Sequence, residues 1–294
     1  MDRISIATIN FNGAEKTIIL LDSLKNQSVK DFQMIVVDNN SDKYDYARLE
    51  NWILNNSPDV FLFKNAVNSG FAGGSNYGIN KALKAGADWV VLLNNDTWVE
   101  SDFIERLKPE LEHKEGIIGL PLDEGDGHIS FGGCLQWLKP TLTHGHGYVK
   151  GEKTTKVNFK YAIGGGMAVS KDVFRKIGVF DENYFLYFED ADFSFRAWKA
   201  NVPIEYLRLP IVKHAQSSSA AKLGSPTLLR LHYRNALYFN MKHGPVWVQF
   251  MLLPWSWLIL TKQAIKIVFN YHVEESKAII KGVLDFYYQR YGKI

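Results

Sequence analysis

Apolar and polar positions alternate in blocks from Ile4 to Asp96. "ISIATIN" (Ile4 to Asn10) is apolar and β-branched and reads as a strand. Asn12-Gly13 breaks it, and Ile18, Leu21 and Leu24 then recur at helical spacing, which predicts a helix over about 14–26. "FQMIVVDNNSD" predicts a second strand, Phe32 to Val37, that ends in a polar loop; "DVFLFKN" predicts a third. "NSGFAGGSNYGINKALKAG" reads as a glycine-rich loop running into a helix that stops at Gly86, and "DWVVLLNND" as a fourth strand.

Strands alternating with helices imply βαβ units and a mostly parallel α/β sheet. Ligands of such sheets bind beyond the carboxyl ends of the strands. Those ends carry Asn10, Asn12, Asp38, Asn39, Asn40, Asn94, Asn95 and Asp96, so three polar strand ends are expected to face one crevice. From about Gly116 to Ser219 the pattern loosens. "GIIGLPL", "HISFGG" and "FKYAIGGGMAVS" read as further strands, "PIEYLRLPIVKH" as a strand leading to His214, and "EDADFSFRAWKAN" as a helix beginning near Glu189. From Thr227 the chain reads as helical to its end.

In that last region, Val246 to Thr261 is a 16-residue run with few polar side chains, Gln249 and Ser256 among them. Spanning a bilayer takes about 20 apolar residues. Pro254 interrupts the run, and Lys262 and Lys266 follow it. Trp247, Trp255 and Trp257 on an apolar body with flanking lysines suit a helix lying on an anionic membrane surface rather than crossing it. The alternative is a buried helix pair or a homodimer contact.

Composition adds little until its distribution is considered. The chain has 294 residues, 46% hydrophobic and 22% charged, with a formal charge of +3, so nothing in the overall balance argues for nucleic acid. The excess is local: Pro226 to Ile294 holds nine Lys/Arg against three Asp/Glu. Cys134 is the only cysteine, which excludes an intrachain disulfide and favours a reducing compartment. "MDRISIATIN" lacks the charged-then-apolar order of a signal peptide. A cytoplasmic protein, peripheral on the inner face of the cell membrane, is expected.

The glycine-rich stretch is neither a G-x-G-x-x-G directly after the first strand nor a P-loop, so hydride transfer and ATP hydrolysis are disfavoured. Its glycines could let backbone approach a phosphate-bearing ligand, or simply form a turn before a helix. Asp96, at a strand end beside two amides, suits a hard cation such as Mn2+ or Mg2+ bridging phosphates, or else an Asx turn. The densest acidic cluster, Glu189, Asp190 and Asp192, follows the aromatic lead-in "YFLYF". Acids among aromatics are partly desolvated, which favours a proton-accepting role; acids at a helix start also stabilise its dipole. His214 follows a strand and is a metal-ligand candidate, although a lone histidine is more often structural.

"TINFNG", "DNNSD", "NSGFAGGSNYG", "LLNNDT", the block from Gly164 to Arg196 and "HAQSSS" occur in an order that resembles the family 2 glycosyltransferases, especially rhamnosyltransferase-like bacterial members that build surface polysaccharides. The resemblance covers about residues 3–220. It implies a GT-A fold, a Rossmann-like nucleotide-binding sheet with a helical C-terminal extension. A catalytic domain over 1–225 is expected, with a nucleotide-sugar half to about 100 and an acceptor half over about 115–225. Residues 226–294 would be a membrane-associating or oligomerising region.

The implied reaction is an inverting transfer of rhamnose or another hexose from a dTDP- or UDP-sugar to a hydroxyl of a lipid-linked or polysaccharide acceptor. Carried over by motif, Thr8, Asn10, Asp38 and Asn40 would line the nucleoside pocket, with Asp38 on the base. Asn68, Gly70, Gly73 and Asn76 would lie along the donor. Asn94-Asn95-Asp96 stands where the family has D-x-D, so Asp96 would bind the metal, with His214 completing the site. Asn94 departs from the pattern, since an amide cannot supply the first acid's charge; it and Asn95 are read as donor contacts. Asp190 matches the catalytic base. Glu189, Asp192, Gly165, Arg230 and Arg234 are acceptor-side candidates, with helix support as the other reading of Asp192. Two rivals remain: a sugar-nucleotide nucleotidyltransferase, for whose triphosphate loop Lys16 is the only candidate, and a non-catalytic membrane-associated member of the fold.

Overall fold

The computed structural model describes residues 2–123, 125, 129–146, 159–214 and 225–294, with the side chains of 143–146 and 159 left aside. The first half alternates as its pattern predicts: β1 (Ile4–Asn10), α1 (Ala14–Lys25), β2 (Gln33–Asp38), α2 (Lys43–Asn56), β3 (Phe61–Lys64), α3 (Gly70–Lys84) and β4 (Trp89–Leu93). Then follow β5 (Thr97–Val99), α4 (Phe103–Leu111), β6 (Ile117–Gly119), β7 (Leu122–Asp123), β8 (Ile129–Leu135), β9 (Thr143–His146), β10 (Phe159–Tyr161) and β11 (Gly166–Ser170). The chain continues through α5 (Lys171–Ile177), a 3-10 turn (Glu182–Tyr184), α6 (Glu189–Lys199), β12 (Ile204–Tyr206) and β13 (Val212–His214). It closes with α7 (Pro226–His243), α8 (Val246–Val268) and α9 (Val273–Tyr287).

Seven strands form the main sheet in the order β12-β6-β11-β4-β1-β2-β3. β3, β2, β1 and β4 run parallel. β11 enters antiparallel between β4 and β6. Buried on both faces, β4 reads as an unbroken apolar run, "WVVLL", as a central parallel strand should. A second sheet, β10-β8-β7-β13-β5 with β9 on β8, lies beyond the carboxyl edge of the first.

Three expectations change. The glycine-rich stretch is not a loop: α3 starts at Gly70, and its glycines let the helix lie close on the sheet. A Cβ on Gly74 would come within 3.1 Å of the Ile9 side chain, and one on Gly78 within 3.3 Å of Val37. "PIEYLRLPIVKH" is not one strand but β12 and β13, in different sheets. "FKYAIGGGMAVS" likewise divides into β10 and β11 around Ala162–Gly165. The helices α2, α4 and α5 add to the predicted set; α2 is capped by Asp42, whose side chain accepts from the N–H groups of Tyr44 and Asp45. Residues 215–219 of "HAQSSS" lie outside the described residues.

The C-terminal helices are not an appendage. Ala236 and Phe239 of α7 belong to the same apolar cluster as Ile4, Ile6, Leu20 and Val91. Trp137 stacks on Phe239 with ring centroids 5.9 Å apart. α8 and α9 pack on α7 around Leu237, Leu252, Ile279 and Val283. The other face of α8 is open: Trp247, Phe250, Trp257 and Leu258 are all more than half exposed. Among the described residues no helix is long and apolar enough to cross a membrane.

His232 of α7 stacks on Tyr187, centroids 4.1 Å apart, and neither ring nitrogen has a hydrogen-bond partner among the described residues. Burial pushes its pKa down to about 4. The unfolded chain therefore binds a proton that the folded chain refuses between pH ~6.5 and about 4. Stability should fall as the pH drops through that window, by on the order of 3 kcal/mol, and this component should level off below it. His232→Phe keeps the stack and removes the titration; urea unfolding across pH 4–7 should show a flatter profile for the variant.

Candidate active site

The tips of β1 and β2 are tied by register: Asn10 pairs with Asp38. Asn10 Nδ2 donates to Asp38 Oδ2 (3.0 Å), Ser41 Oγ (3.1 Å) and Asp45 Oδ2 (2.8 Å). Asp38 is wholly buried, and its other oxygen accepts from the Ser41 N–H. In this structure Asp38 therefore anchors the "DNNS" turn, and the exposed member of that motif is Asn40, at φ 65°. Asp45, at the start of α2, also accepts from the Ala14 N–H and so ties the start of α1 to the same cluster. It carried no sequence signal because α2 itself has a weak apolar pattern.

Asn39 is the residue that joins this cluster to α3. Its amide donates to Asn68 Oδ1 and to the Gly70 carbonyl, while its oxygen accepts from Asn65 and from Ser69. Gly70 sits at φ 73°, and a Cβ there would lie 2.2 Å from the Phe185 carbonyl oxygen, so only glycine fits. Beside it, Thr8, Phe71, Gly74, Leu93 and Gly164 line a narrow cavity. Thr8 Oγ1 is buried there without a hydrogen-bond partner among the described residues. Gly73 faces back onto Ser69. Asn76 does not face the crevice: it donates to the Phe180 carbonyl and Glu182 and accepts from the Phe180 N–H, which uses its amide to tie α3 to the segment before α6.

The tip of β4 carries the polar triplet. Asn95 donates to Thr17 Oγ1 (3.1 Å), which donates to Asn10 Oδ1 (2.9 Å), linking this tip to the first. β5 follows at once and pairs antiparallel with β13, with Thr97 opposite His214. That pairing sets His214 Nε2 3.1 Å from Asp96 Oδ1, and Lys16 Nζ lies 3.8 Å from Asp96 Oδ2. Burial alone would raise the Asp96 pKa; the hydrogen bond and charge of His214, and the charge of Lys16, lower it below the ordinary carboxylate value.

A carboxylate and an imidazole on adjoining strands are two hard-to-borderline ligands, and the described residues contain no group of three His, Cys, Asp or Glu that would hold an ion alone. Two protein ligands suit an Mn2+ or Mg2+ site whose remaining positions go to water and phosphate oxygens. Lys16, on α1, thus faces Asp96 and not a triphosphate loop. His144 and His146 lie in β9, where side chains are not described.

The second acid approaches across a glycine step. β11 pairs with β4 so that Gly166 lies opposite Leu93, and the Asn94 N–H donates to the Gly165 carbonyl (3.0 Å). A Cβ on Gly165 would strike the Asn94 side chain at 2.3 Å. Gly165 is therefore a close-approach residue at the triplet. Next to it, the Gly164 N–H donates to Asp190 Oδ2 (3.0 Å), and Asp190 Oδ1 accepts from the Ala191 N–H (2.8 Å). Asn94, Gly165, Gly164 and Asp190 thus follow one another from the tip of β4 to the start of α6.

The three acids of α6 have three fates. Glu189 is buried, and burial with the adjacent Asp190 charge pushes its pKa well above the ordinary carboxylate value. Asp190 keeps its oxygens on backbone N–H groups. Asp192 is not presented to an acceptor: it is fully buried against Arg196 (2.7 Å), Lys242 (2.7 Å) and His243 (2.7 Å). Burial alone would raise its pKa; those partners hold it well below the carboxylate range. The His243 pKa is itself lowered, by burial, which fits a neutral imidazole donating from Nε2.

Arg234 and Arg230 are also corrected. Arg234 has no exposed surface and donates to four backbone carbonyls, those of Asn183, Tyr184, Arg290 and Gly292. Burial pulls its pKa down to about 10, which leaves it charged. Arg230 Nε pairs with the buried Asp285 at 2.6 Å, joining α7 to α9. Neither is free for an acceptor diphosphate.

A mostly parallel sheet whose strand tips meet a second, mixed sheet at Asp96 and His214, with another acid across Gly164–Gly165, is the architecture of a GT-A transferase. The chain belongs to glycosyl transferase family 2, whose model matches residues 5–178, more than half of it. It is an enzyme, a nucleotide-sugar-dependent glycosyltransferase. The low-salt glycan biosynthesis hexosyltransferase Agl10 of Haloferax volcanii is 25% identical to it, over 100% of this chain and 94% of that protein. The dTDP-rhamnosyl transferase RfbF of Shigella flexneri is 24% identical over 77% of this chain and 76% of its own length. Among solved structures, the mannosyltransferase PcManGT from Pyrobaculum calidifontis, in complex with GDP-Man and Mn2+, shares the fold at a TM-score of 0.55 and 14% identity. That match covers 98% of this chain and 88% of that one.

Asp192→Asn removes the buried charge that balances Arg196 and Lys242. It should cost about 3–5 kcal/mol of stability by chemical denaturation, as the loss of one partner of a buried ion pair does, while nucleotide diphosphate binding survives in the folded fraction.

Proposed function

We propose that the protein is an inverting hexosyltransferase that moves rhamnose or another hexose from a dTDP- or UDP-sugar to a hydroxyl of a lipid-linked or polysaccharide acceptor. The observation that carries this reading is the contact of Asp190 with the Gly164 N–H, one residue from the glycine that lies against Asn94. It gives the donor end of β4 and a carboxylate two sides of one short step. Likeness to RfbF supports a dTDP-sugar, and likeness to Agl10 a hexose.

In this reading the nucleoside rests by Thr8 and the Asn10–Asp38 cluster, with Asn40, Asn68 and Gly70 at its edge. The diphosphate lies along Asn94, Asn95 and Asp96. Asp96 and His214 would hold Mn2+ or Mg2+, which supplies charge neutralisation on the departing diphosphate. Asp190 accepts the proton of the acceptor hydroxyl as its oxygen attacks the anomeric carbon. The bond to the diphosphate breaks on the opposite face, so the configuration inverts. Gly164 and Ala191 hold the carboxylate still, beside a Glu189 whose pKa burial raises.

The open face of α8 is proposed to dock on the anionic inner surface of the cell membrane, where lipid-linked acceptors reside. Trp247, Phe250, Trp257 and Leu258 supply the apolar contact, and the exposed Lys262 the charge complementarity.

Asp190→Asn should lower turnover by roughly 10²–10⁴-fold while nucleotide affinity persists; near-normal turnover removes the base assignment. Calorimetric titration with UDP, dTDP and GDP should show one of them binding more tightly with Mn2+ in the wild type and not in Asp96→Ala; binding indifferent to Mn2+ overturns the metal site.

Because α7 is part of the main core, the docking face is tested by substitution and not by removing the helices. Full-length protein should co-sediment with phosphatidylglycerol vesicles, and Phe250→Glu with Trp257→Glu should abolish this. Failure of the wild type to bind, with a concentration-dependent dimer in sedimentation, would assign the face to a second copy instead.

A further inference from the structure

The segment that delivers Asp190 is held from outside the catalytic sheet. Between the 3-10 turn and α6, Phe185, Tyr187 and Phe188 all have positive φ, at 64°, 71° and 76°. Non-glycine residues rarely adopt this region, and three in four residues persist only where neighbours over-determine them. The neighbours are on α7. Asn235 Nδ2 lies 3.0, 2.9 and 2.9 Å from the carbonyl oxygens of Tyr184, Leu186 and Tyr187. Arg234 donates to the carbonyls of Asn183 and Tyr184. The next carbonyl, that of Phe188, accepts the Asp192 N–H at 2.8 Å, so the end of this turn sets where α6 begins and where Asp190 stands.

Asn235 and Arg234 are themselves held. Arg234 Nε donates to Asn235 Oδ1 (2.9 Å), which fixes the amide with its NH2 toward the turn. The Arg234 guanidinium is braced by the Gly292 carbonyl (2.7 Å), and the Gly292 N–H donates to the Asn183 carbonyl (2.8 Å). Both side chains have no exposed surface. The same turn also touches the donor side, since the Phe185 carbonyl accepts from the Ala72 N–H and lies over Gly70.

We propose that Asn235, locked by Arg234 and the Arg290–Gly292 backbone, is a positioning residue that holds the Tyr184–Phe188 turn and thereby aims Asp190 at the acceptor hydroxyl. The proposal rests on Asp190 being the base. A neutral amide suits this role, because it donates to converging carbonyls without adding a charge beside Glu189 and Asp190. Misplacement of a reacting group by about 1 Å can cost ~10²-fold in rate, so loss of the amide should be read in turnover before it is read in donor binding.

The test uses full-length protein with Asn235→Ala and Asn235→Asp, which keeps the shape and removes the donors, and a chain ending at Gln289, which removes the Arg234 brace together with the Tyr291 ring that packs on Tyr238. Each is compared with wild type and Asp190→Asn in three measurements. These are calorimetric binding of UDP and dTDP with Mn2+, sugar release and transfer from dTDP-rhamnose and UDP-hexoses with a bacterial polyprenol-linked glycan extract, and amide hydrogen exchange. The expected result is nucleotide affinity within about two-fold, kcat lower by roughly ten- to a hundred-fold, and faster exchange confined to residues 183–192.

Wild-type kcat in Asn235→Asp or in the shortened chain overturns the proposal. So does a kcat that falls only in step with nucleotide binding, because that marks a residue that supports folding alone. If Asp190→Asn stays active, the base reading fails. If Asp190→Asn is dead and the Asn235 variants are not, the base stands and only the positioning role is lost.

Discussion

The antiparallel pairing of β11 with β4 is the constraint on which the site depends. β4 is a parallel strand of the main sheet, and its tip would otherwise face only its own helix and loop. Because β11 returns beside it in opposite sense, the residues just before β11 arrive at that tip. Those residues are Gly164 and Gly165. The absence of a Cβ lets Gly165 lie against Asn94, while the Gly164 N–H is left to bond a carboxylate from α6. A larger residue at 165 would push apart the polar triplet and the acid. The sheet register, not any local sequence preference, thus sets the separation between the two ends of the site.

The electrostatics follow from how deep each acid is placed and what it meets. On α6, the first turn alone puts Glu189, Asp190 and Asp192 in different surroundings within four residues. Glu189 finds low dielectric and a neighbouring charge, which push its pKa up. Asp192, facing α7, finds Arg196, Lys242 and His243, which hold its pKa well below the carboxylate range. Asp190 between them meets backbone N–H groups. At the other sheet, Asp96 meets His214 and Lys16 and is kept ionised despite burial. A helix dipole acting on all three α6 acids alike would not separate them in this way; specific partners do.

The alternation of strands and helices, and the polar strand tips, were legible because they are local: period, β-branching and breakers suffice for β1, β2, β4 and α1. The order of the motifs also made the family legible. Long-range facts were not. That Asp96 meets His214 depends on β5 pairing with β13, and three-residue strands carry no pattern that predicts a partner. The glycines of α3 read as a loop because their role is to bring a helix close to a sheet, which no propensity scale contains. Arg234 and Arg230 read as acceptor-side candidates, since nothing nearby in sequence reveals that four carbonyls and Asp285 surround them. Asn39 reads as one more polar strand-end residue, yet it is the one whose amide ties the Asn68–Gly70 turn to β2.

The C-terminal helices show why sequence region and structural unit need not coincide. A change from alternating to purely helical pattern near residue 226 suggests a separate piece, and composition shifts there too. Yet α7 puts Phe239 into the main core and Asn235 against the turn before α6. Its neighbours α8 and α9 build a smaller cluster with α7, and Trp255 of α8 also reaches the main core. The three helices therefore have two distinct faces of opposite chemistry. One, through Arg234 and Asn235, meets backbone carbonyls and tolerates no solvent. The other, along α8, leaves tryptophan, phenylalanine and leucine open, which is costly in water unless something covers them. Both faces are carried on the same short stack, so the element that leaves α8 open also grips the turn leading into Asp190.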